Sequence, residues 1–350
     1  MPLRPSYKNR IHRMSKTALL VCFISIFFTG NVSGEDKLVK RTQVLMGTFV
    51  SITLPSQNLY ASNLAFKRLK KVEHSLSSYD KNALIYRLNH EGKIELSEDA
   101  YEALSLSKHY YKQTNGYFDI TIGSITKGLF HFGENETVAK KEDLQKAKVD
   151  FNGLHFNELE AWIDKDIVLD LGGMGKGFGV DKAVATLIGV SRAVVALSGD
   201  IYCIGECEMS IQNPFNEGSI AEFKMKDMAI STSGNYRRFV KSKEYNHLIN
   251  PKQKRSQKTF ASITLISNVL SNSDLDAYAT AASVMPYSKA LTFLRERELE
   301  FLVVSNEKKL VVSDNFNVLT SELTLFQPLK IQEKEYIRAV PLTFQKTKRL

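Results

Sequence analysis

The sequence predicts an α+β fold built on antiparallel sheet, and three observations predict it. Helix-type patterns cluster early in the chain and strand-type patterns late, without the regular strand–helix–strand alternation that builds a parallel sheet. From Ala193 to Ser267 the pattern is almost wholly of strands: AVVALSGDIYCIG, EMSIQ, IAEFKMK, HLIN and FASITLIS. No solenoid-like period or long low-complexity tract interrupts the chain. With 350 residues, 43% hydrophobic and 24% charged, there is apolar material for one large domain or two moderate ones.

The elements follow in order. LVKRTQVLMGTFVSITL at 38–54 alternates and is rich in β-branched residues, so it reads as one or two strands. Pro55-Ser56 opens a helix to about residue 77, whose apolar positions Ala65, Leu69, Val72 and Leu76 keep the spacing of one buried face. A second helix is expected from Ser97, with Glu98 and Asp99 in its first turn, to Asn115-Gly116. A third begins in or just after the glycine-rich stretch 171–181 and ends at Gly189, and a fourth covers about 274–297. Two short strands, EFLVVSN and KLVVSD, close the pattern.

The first residues read as an address. Basic MPLRPSYKNRIHRMSK leads into apolar ALLVCFISIFF and then into small, polar TGNVSG, the layout of a secretory signal. The apolar run falls short of the roughly 20 residues of a membrane span. Residues 1–34 are therefore expected to be a signal peptide cleaved near Gly34, with Met14 an alternative start. Cys22 lacks the small preceding residue of a lipoprotein cysteine. The formal charge of the whole chain is +9, and removing the five basic residues of that segment from the 47 leaves 42 basic against 38 acidic side chains, about +4. Such a surplus makes no case for nucleic acid, which shows as a concentrated basic face. Beyond the leader two cysteines remain, Cys203 and Cys207. They flank Ile-Gly-Glu, a candidate tight hairpin that would set them opposite each other, and the sequence leaves a disulfide and free thiols equally open. A metal pair lacks a further Cys or a nearby His.

Three segments carry candidate chemistry. LGGMGKGFGVD at 171–181 suggests a phosphate loop, because glycines let backbone approach a ligand closely. It fails the P-loop test, since Gly177 follows Lys176 where Ser or Thr is needed, and it fits the dinucleotide fingerprint only loosely, since 195–205 offers just Asp200. A structural turn into a helix accounts for such a stretch equally well. In SNSDLDAYATAASVM, Asp276 and Thr280 are four apart on a predicted helix and share a face, offering hard oxygen ligands for Mg²⁺. The competing account makes Ser273 and Asp276 a capping box and turns Thr280 to the core. In AISTSGNYRRF and YNHLINP, hydroxyls and N–H groups precede His247, a residue type more often packed than catalytic.

Taken together and in order, VLMGTFVSI, SSYDKNALIYRLN, TNGYFDITIG, LDLGGMGKGFGVDKA, VALSGDIYCIG, AISTSGNYRRF with YNHLINP, and LDAYATAASVM resemble the ApbE family of FAD:protein FMN transferases, over roughly residues 42–285. The resemblance implies a single T-fold-related domain over 35–330, with antiparallel sheets, flanking helices and an FAD cleft between two lobes. The tail 331–350 is unassigned. It implies transfer of FMN from FAD to a Thr or Ser hydroxyl of an exported or membrane-anchored flavoprotein, with a phosphoester formed and AMP released. Positioning and charge neutralisation do most of the work in such a reaction.

By the same resemblance Asp276, Thr280 and the main-chain oxygen of Gly175 are the Mg²⁺ ligands. Met46, Tyr79, Phe118, Asp119 and Ile120 line the FAD site, Asp181 contacts the flavin, and Lys176 neutralises phosphate charge. His247, with Asp276, is catalytic: it activates the attacking hydroxyl or steadies the transition state. A periplasmic setting follows, with room for peripheral association with the inner membrane. The sequence departs from the family pattern at Gly175, at Lys81-Asn82-Ala83-Leu84 after Tyr79, and at Asn250-Pro251-Lys252-Gln253 after the histidine. Two rivals stand beside this expectation: a Mg²⁺-dependent FAD pyrophosphatase yielding FMN and AMP, and a non-catalytic FAD-binding protein.

Overall fold

The computed structural model describes residues 37–327, 330–331 and 343–346; the leader expected at 1–34 lies outside them. Its centre is an eleven-stranded sheet whose eight consecutive strands follow chain order. These are β1 (Leu38–Leu45), β2 (Thr48–Pro55), β3 (Ala193–Leu197), β4 (Asp200–Gln212), β5 (Ser219–Gly234), β6 (Phe260–Ser267), β7 (Glu300–Ser305) and β8 (Lys309–Val312). Every neighbouring pair among them is antiparallel, as the strand-rich second half predicts. Strand β9 (Ser321–Gln327) pairs with β5, and Lys330–Ile331, which straddles the start of the unassigned tail, and Thr343–Lys346 within it add parallel strands at β8 and β9.

Six helices of eight residues or more fill the connections: α1 (Leu59–Leu76), α2 (Leu84–Glu91), α3 (Glu98–Gln113), α4 (Gly175–Val184), α5 (Asn272–Val284) and α6 (Tyr287–Glu296). Helix α1 buries the stripe Ala65, Leu69, Val72 and Leu76 that its spacing predicts. Helix α3 starts where Ser97 accepts from the Ala100 amide, a regular N-cap. The single helix expected at 274–297 is two, because Pro286 cannot continue α5 and instead precedes the first turn of α6. Helix α2 was not anticipated; it is short and only Ile85 and Leu88 are buried.

The sheet is covered on both faces where it matters for the site. Ile263 and Leu265 of β6 enter the core shared with α3, α5 and α6, whereas Ile266 enters the opposite core with Cys203, Cys207 and Met209. The cysteine expectation needs one correction of geometry. Cys203 and Cys207 form a disulfide, with Cα atoms 6.1 Å apart, but no hairpin joins them. Both lie on the single strand β4, whose register against β5 shifts between Cys203 and Glu206. This bulge turns on Gly205 at φ +69°, a left-handed conformation that a side chain disfavours, and Asp227 accepts from its amide at 2.7 Å. No helix among the described residues is long and apolar enough to cross a membrane.

Candidate active site

A cavity of about 1150 Å³ opens where the ends of β1–β5 meet the N-terminal half of α4 and one face of α5. Its lining includes Met46, Tyr79, Phe118, Asp119, Ile120, Gly175, Lys176, His247, Asp276 and Thr280. Residues separated by up to 234 positions in sequence therefore converge, and the convergence has local causes.

Two tight turns supply the rim on the β1–β3 side. In the β1–β2 turn Met46 sits at φ +52° beside Gly47 at +69°. A methionine there is disfavoured, and Glu73 of α1 holds it by accepting from its amide at 2.5 Å. In the β3–β4 turn Ser198 takes φ +60°, which places Asp200 first on β4. On the other side, Asp119 Oδ1 accepts from the amide and hydroxyl of Thr121 at 2.8 and 2.7 Å, fixing the loop that presents Phe118 and Ile120. Burial pushes the Asp119 carboxyl up to about 6.

At the cavity floor the glycine-rich stretch divides in two. Gly172, Gly173 and Gly175 line the cavity, whereas Gly177 and Gly179 face helix and sheet. Lys176 lies at the changeover. Its Nζ stands 2.8 Å from Asp200 Oδ2 and 3.0 Å from Asp276 Oδ2, and Asp276 Oδ2 also accepts from the Gly177 amide at 3.1 Å. Asp200 is 1% exposed and Asp276 2%. Burial works against the ammonium charge, but the two carboxylates outweigh it and hold Lys176 above the usual lysine range. Burial and then the neighbouring Asp276 charge push the Asp200 carboxyl up, while the Lys176 ammonium and the Ser231 hydroxyl pull it back down. Thr280, one turn after Asp276 on α5, has its hydroxyl 3.5 Å from that of Ser233 on β5.

The capping box of α5 lies two residues earlier than the sequence suggested. Ser271 and Asp274 cap each other, so Asp276 is not a cap and points to the cavity. The resemblance assigns Asp181 a flavin contact. Asp181 is not among the cavity residues; its carboxylate accepts from the Asn272 and Ser273 amides at 2.8 Å each and from the Ser273 hydroxyl at 2.5 Å. The first amides of α5 need such acceptors, and a carboxylate at a helix N-terminus is favoured, so Asp181 anchors α5 to α4.

His247 closes the cavity from the β5–β6 connection. Its Nδ1 lies 3.1 Å from the Arg238 carbonyl oxygen, which can only accept, so Nδ1 carries the proton and Nε2 keeps its lone pair. Burial, then the Arg238 charge, lowers the imidazole to about 4. The ring is thus neutral and can accept a proton. Tyr79 donates to the Phe132 carbonyl at 2.9 Å, receives Arg238 Nη2 at 2.5 Å, and has Lys127 Nζ over its ring at 3.0 Å. Lys127 and Arg238 also hold Asp170 ionised below its usual range despite burial. Asp200, Lys127, Arg238 and Asp170 were not singled out as site residues from the sequence; each is distant in the chain from the group it serves.

The family model described as the ApbE family matches residues 46–303. The chain belongs to the ApbE family. A Buchnera aphidicola protein named FAD:protein FMN transferase is 26% identical over 308 residues, covering 78% of this chain and 88% of that protein. A Haemophilus influenzae protein of the same name is 26% identical over 325 residues, covering 82% and 92%. Among solved structures, the ApbE protein of Thermotoga maritima superposes with a TM-score of 0.75 at 21% identity, over 82% of this chain and all (100%) of that one. The flavin transferase ApbE of Vibrio cholerae gives 0.72 at 21% identity, over 81% and 100%. The mixed α/β architecture with antiparallel sheet is thus the family's own.

Proposed function

We propose that this protein is an FAD:protein FMN transferase, moving FMN from FAD to a Thr or Ser hydroxyl of an exported flavoprotein. The observation that carries the reading is the convergence of Lys176, Asp276, Thr280 and His247 on one cavity in a chain of the ApbE family. At about 1150 Å³ the cavity has room for a dinucleotide.

The residues present suit a hard divalent cation. Asp276 and Thr280 present oxygen donors one turn apart, and Gly175 lines the same cavity with its main chain. Among the described residues no three His, Cys, Asp or Glu side chains form an all-protein metal cage. That suits Mg²⁺, which keeps most of its sphere for phosphate and water. Asp276, Thr280 and the Gly175 carbonyl would hold it, and it would supply charge neutralisation on the pyrophosphate.

The chain's own groups do the rest. Lys176 lies where it can offset phosphate charge, and His247 Nε2 takes the proton of the attacking hydroxyl. The hydroxyl oxygen forms a bond to the FMN phosphorus, the bond from that phosphorus to the bridging oxygen breaks, and AMP leaves with that oxygen. The Cys203–Cys207 disulfide supports an exported, periplasm-facing setting, and so does the leader-like start of the sequence.

Mass spectrometry of a candidate acceptor domain, incubated with the protein, FAD and Mg²⁺, tests the reading. A gain of one FMN that disappears with EDTA supports it. Free FMN and AMP with an unmodified acceptor would favour the pyrophosphatase, and FAD bound but unchanged at every Mg²⁺ level would favour a binding protein.

A further inference from the structure

We infer that Asp200 is a positioning residue of the cation site: it holds the Lys176 ammonium so that Asp276 is released to a divalent cation. The inference rests on the reading of Asp276 as a metal ligand.

Three features of Asp200 point there. Its place at the start of β4 does not need an acid, because an asparagine would serve the turn and would still accept the Ser231 hydroxyl at 2.6 Å. Its other oxygen, Oδ2, is buried and faces Lys176 Nζ at 2.8 Å and no further donor. That contact alone uses the negative charge, and an unpaired carboxylate that is 1% exposed would be costly.

Lys176 is shared between two carboxylates, and the sharing is unequal in consequence. Asp276 also has the Gly177 amide and borders Thr280 in the cavity lining, whereas Asp200 is outside that lining. With both carboxylates ionised around the one ammonium, the cluster stands at net −1, so it can accept positive charge. Were Asp276 the sole counter-ion of Lys176, a divalent cation arriving there would strand a buried ammonium. With Asp200 present, Lys176 keeps a 2.8 Å partner while Asp276 changes partners. Lys176 also remains anchored beside Gly175 and the cavity, where phosphate charge must be met.

Mn²⁺ binding to the full chain, followed by loss of its free-ion EPR signal with and without FAD and with no acceptor, tests this. Asp200→Asn should weaken Mn²⁺ binding at least about tenfold, and in a Lys176→Gln background the same substitution should change it less than about twofold. Lys176→Gln alone, which leaves both carboxylates without the ammonium, should bind Mn²⁺ at least about fivefold more tightly in the absence of FAD. Unchanged Mn²⁺ binding in Asp200→Asn, or equal weakening in both backgrounds, overturns the inference. If Asp200→Asn does not fold, Lys176→Gln decides alone, and equal or weaker binding overturns it. Asp276→Asn separates the two levels. Mn²⁺ binding unaffected by Asp276→Asn would sink the metal assignment itself, whereas its loss there with no effect of Asp200→Asn sinks only the role of Asp200.

Discussion

Gly177 lies against the main chain at the start of α5: a β-carbon placed on it would stand 2.2 Å from the Asn272 carbonyl oxygen and 2.9 Å from Asp276 Cβ. The same residue donates its amide to Asp276. Helices α4 and α5 can therefore meet closely enough for Lys176 to reach Asp276 only because position 177 has no side chain. Gly177→Ala should force the helices apart at a cost of about 1–3 kcal/mol, the range for overpacking. Thermal unfolding should show the loss, and FMN transfer should fall with it. A variant with unchanged melting temperature and activity would show that the contact relaxes freely.

Asp181 gives a prediction of opposite kind. It tethers the first turn of α5 through three hydrogen bonds and lies outside the cavity lining. Asp181→Asn removes the charge that favours the helix terminus and should cost about 1 kcal/mol, like the loss of a cap. FAD affinity, measured by quenching of flavin fluorescence, should stay within about twofold once stability is allowed for. A tenfold loss of FAD affinity at unchanged melting temperature would instead return Asp181 to the flavin site.

These two residues show what the sequence could and could not convey. The strand-rich second half, the apolar stripe of α1 and the Ser97 start of α3 were legible because they depend on neighbours in the chain. The pairing of Asp276 with Thr280 was legible too, as one helix face. The division of labour among the glycines was not, because Gly175 and Gly177 differ only in what α5 brings against them. Asp200 was visible as a residue but not as a partner of Lys176, since the contact is made by the β3–β4 turn reaching across to α4. The disulfide was correctly among the alternatives, but a bulge inside one strand and a hairpin leave the same trace in IYCIGECEM.

His247 should titrate far below an ordinary histidine. Its pKa near 4 follows first from burial and then from the Arg238 charge. The folded state therefore binds fewer protons than the unfolded state, whose histidine titrates near the ordinary value of about 6.5. The stability contributed by the neutral ring is present above that ordinary value and is lost as pH falls through the interval toward 4. Ring resonances followed by NMR should show a midpoint near 4, and Arg238→Gln should move it upward. A midpoint above 6 in the wild type would mean that the ring is solvated and not under the influence of the Arg238 charge.

The disulfide makes the last prediction, because it sits in the core opposite the helices and neither cysteine lines the cavity. Its two cysteines are only four positions apart, so the loop it closes is short and its effect on the unfolded chain is modest. Chain-entropy reasoning gives about 2 kcal/mol for a ring of this size. Replacing both cysteines by alanine should lower the melting temperature by a few degrees. The bulge itself should persist, because Gly205 retains its bond to Asp227 and the flanking register with β5 is set by many further pairs. Turnover with FAD should consequently stay within about twofold of wild type. If turnover collapsed while melting scarcely changed, the cross-link would be holding the far end of β4, Met209 to Gln212, in place along the cavity wall.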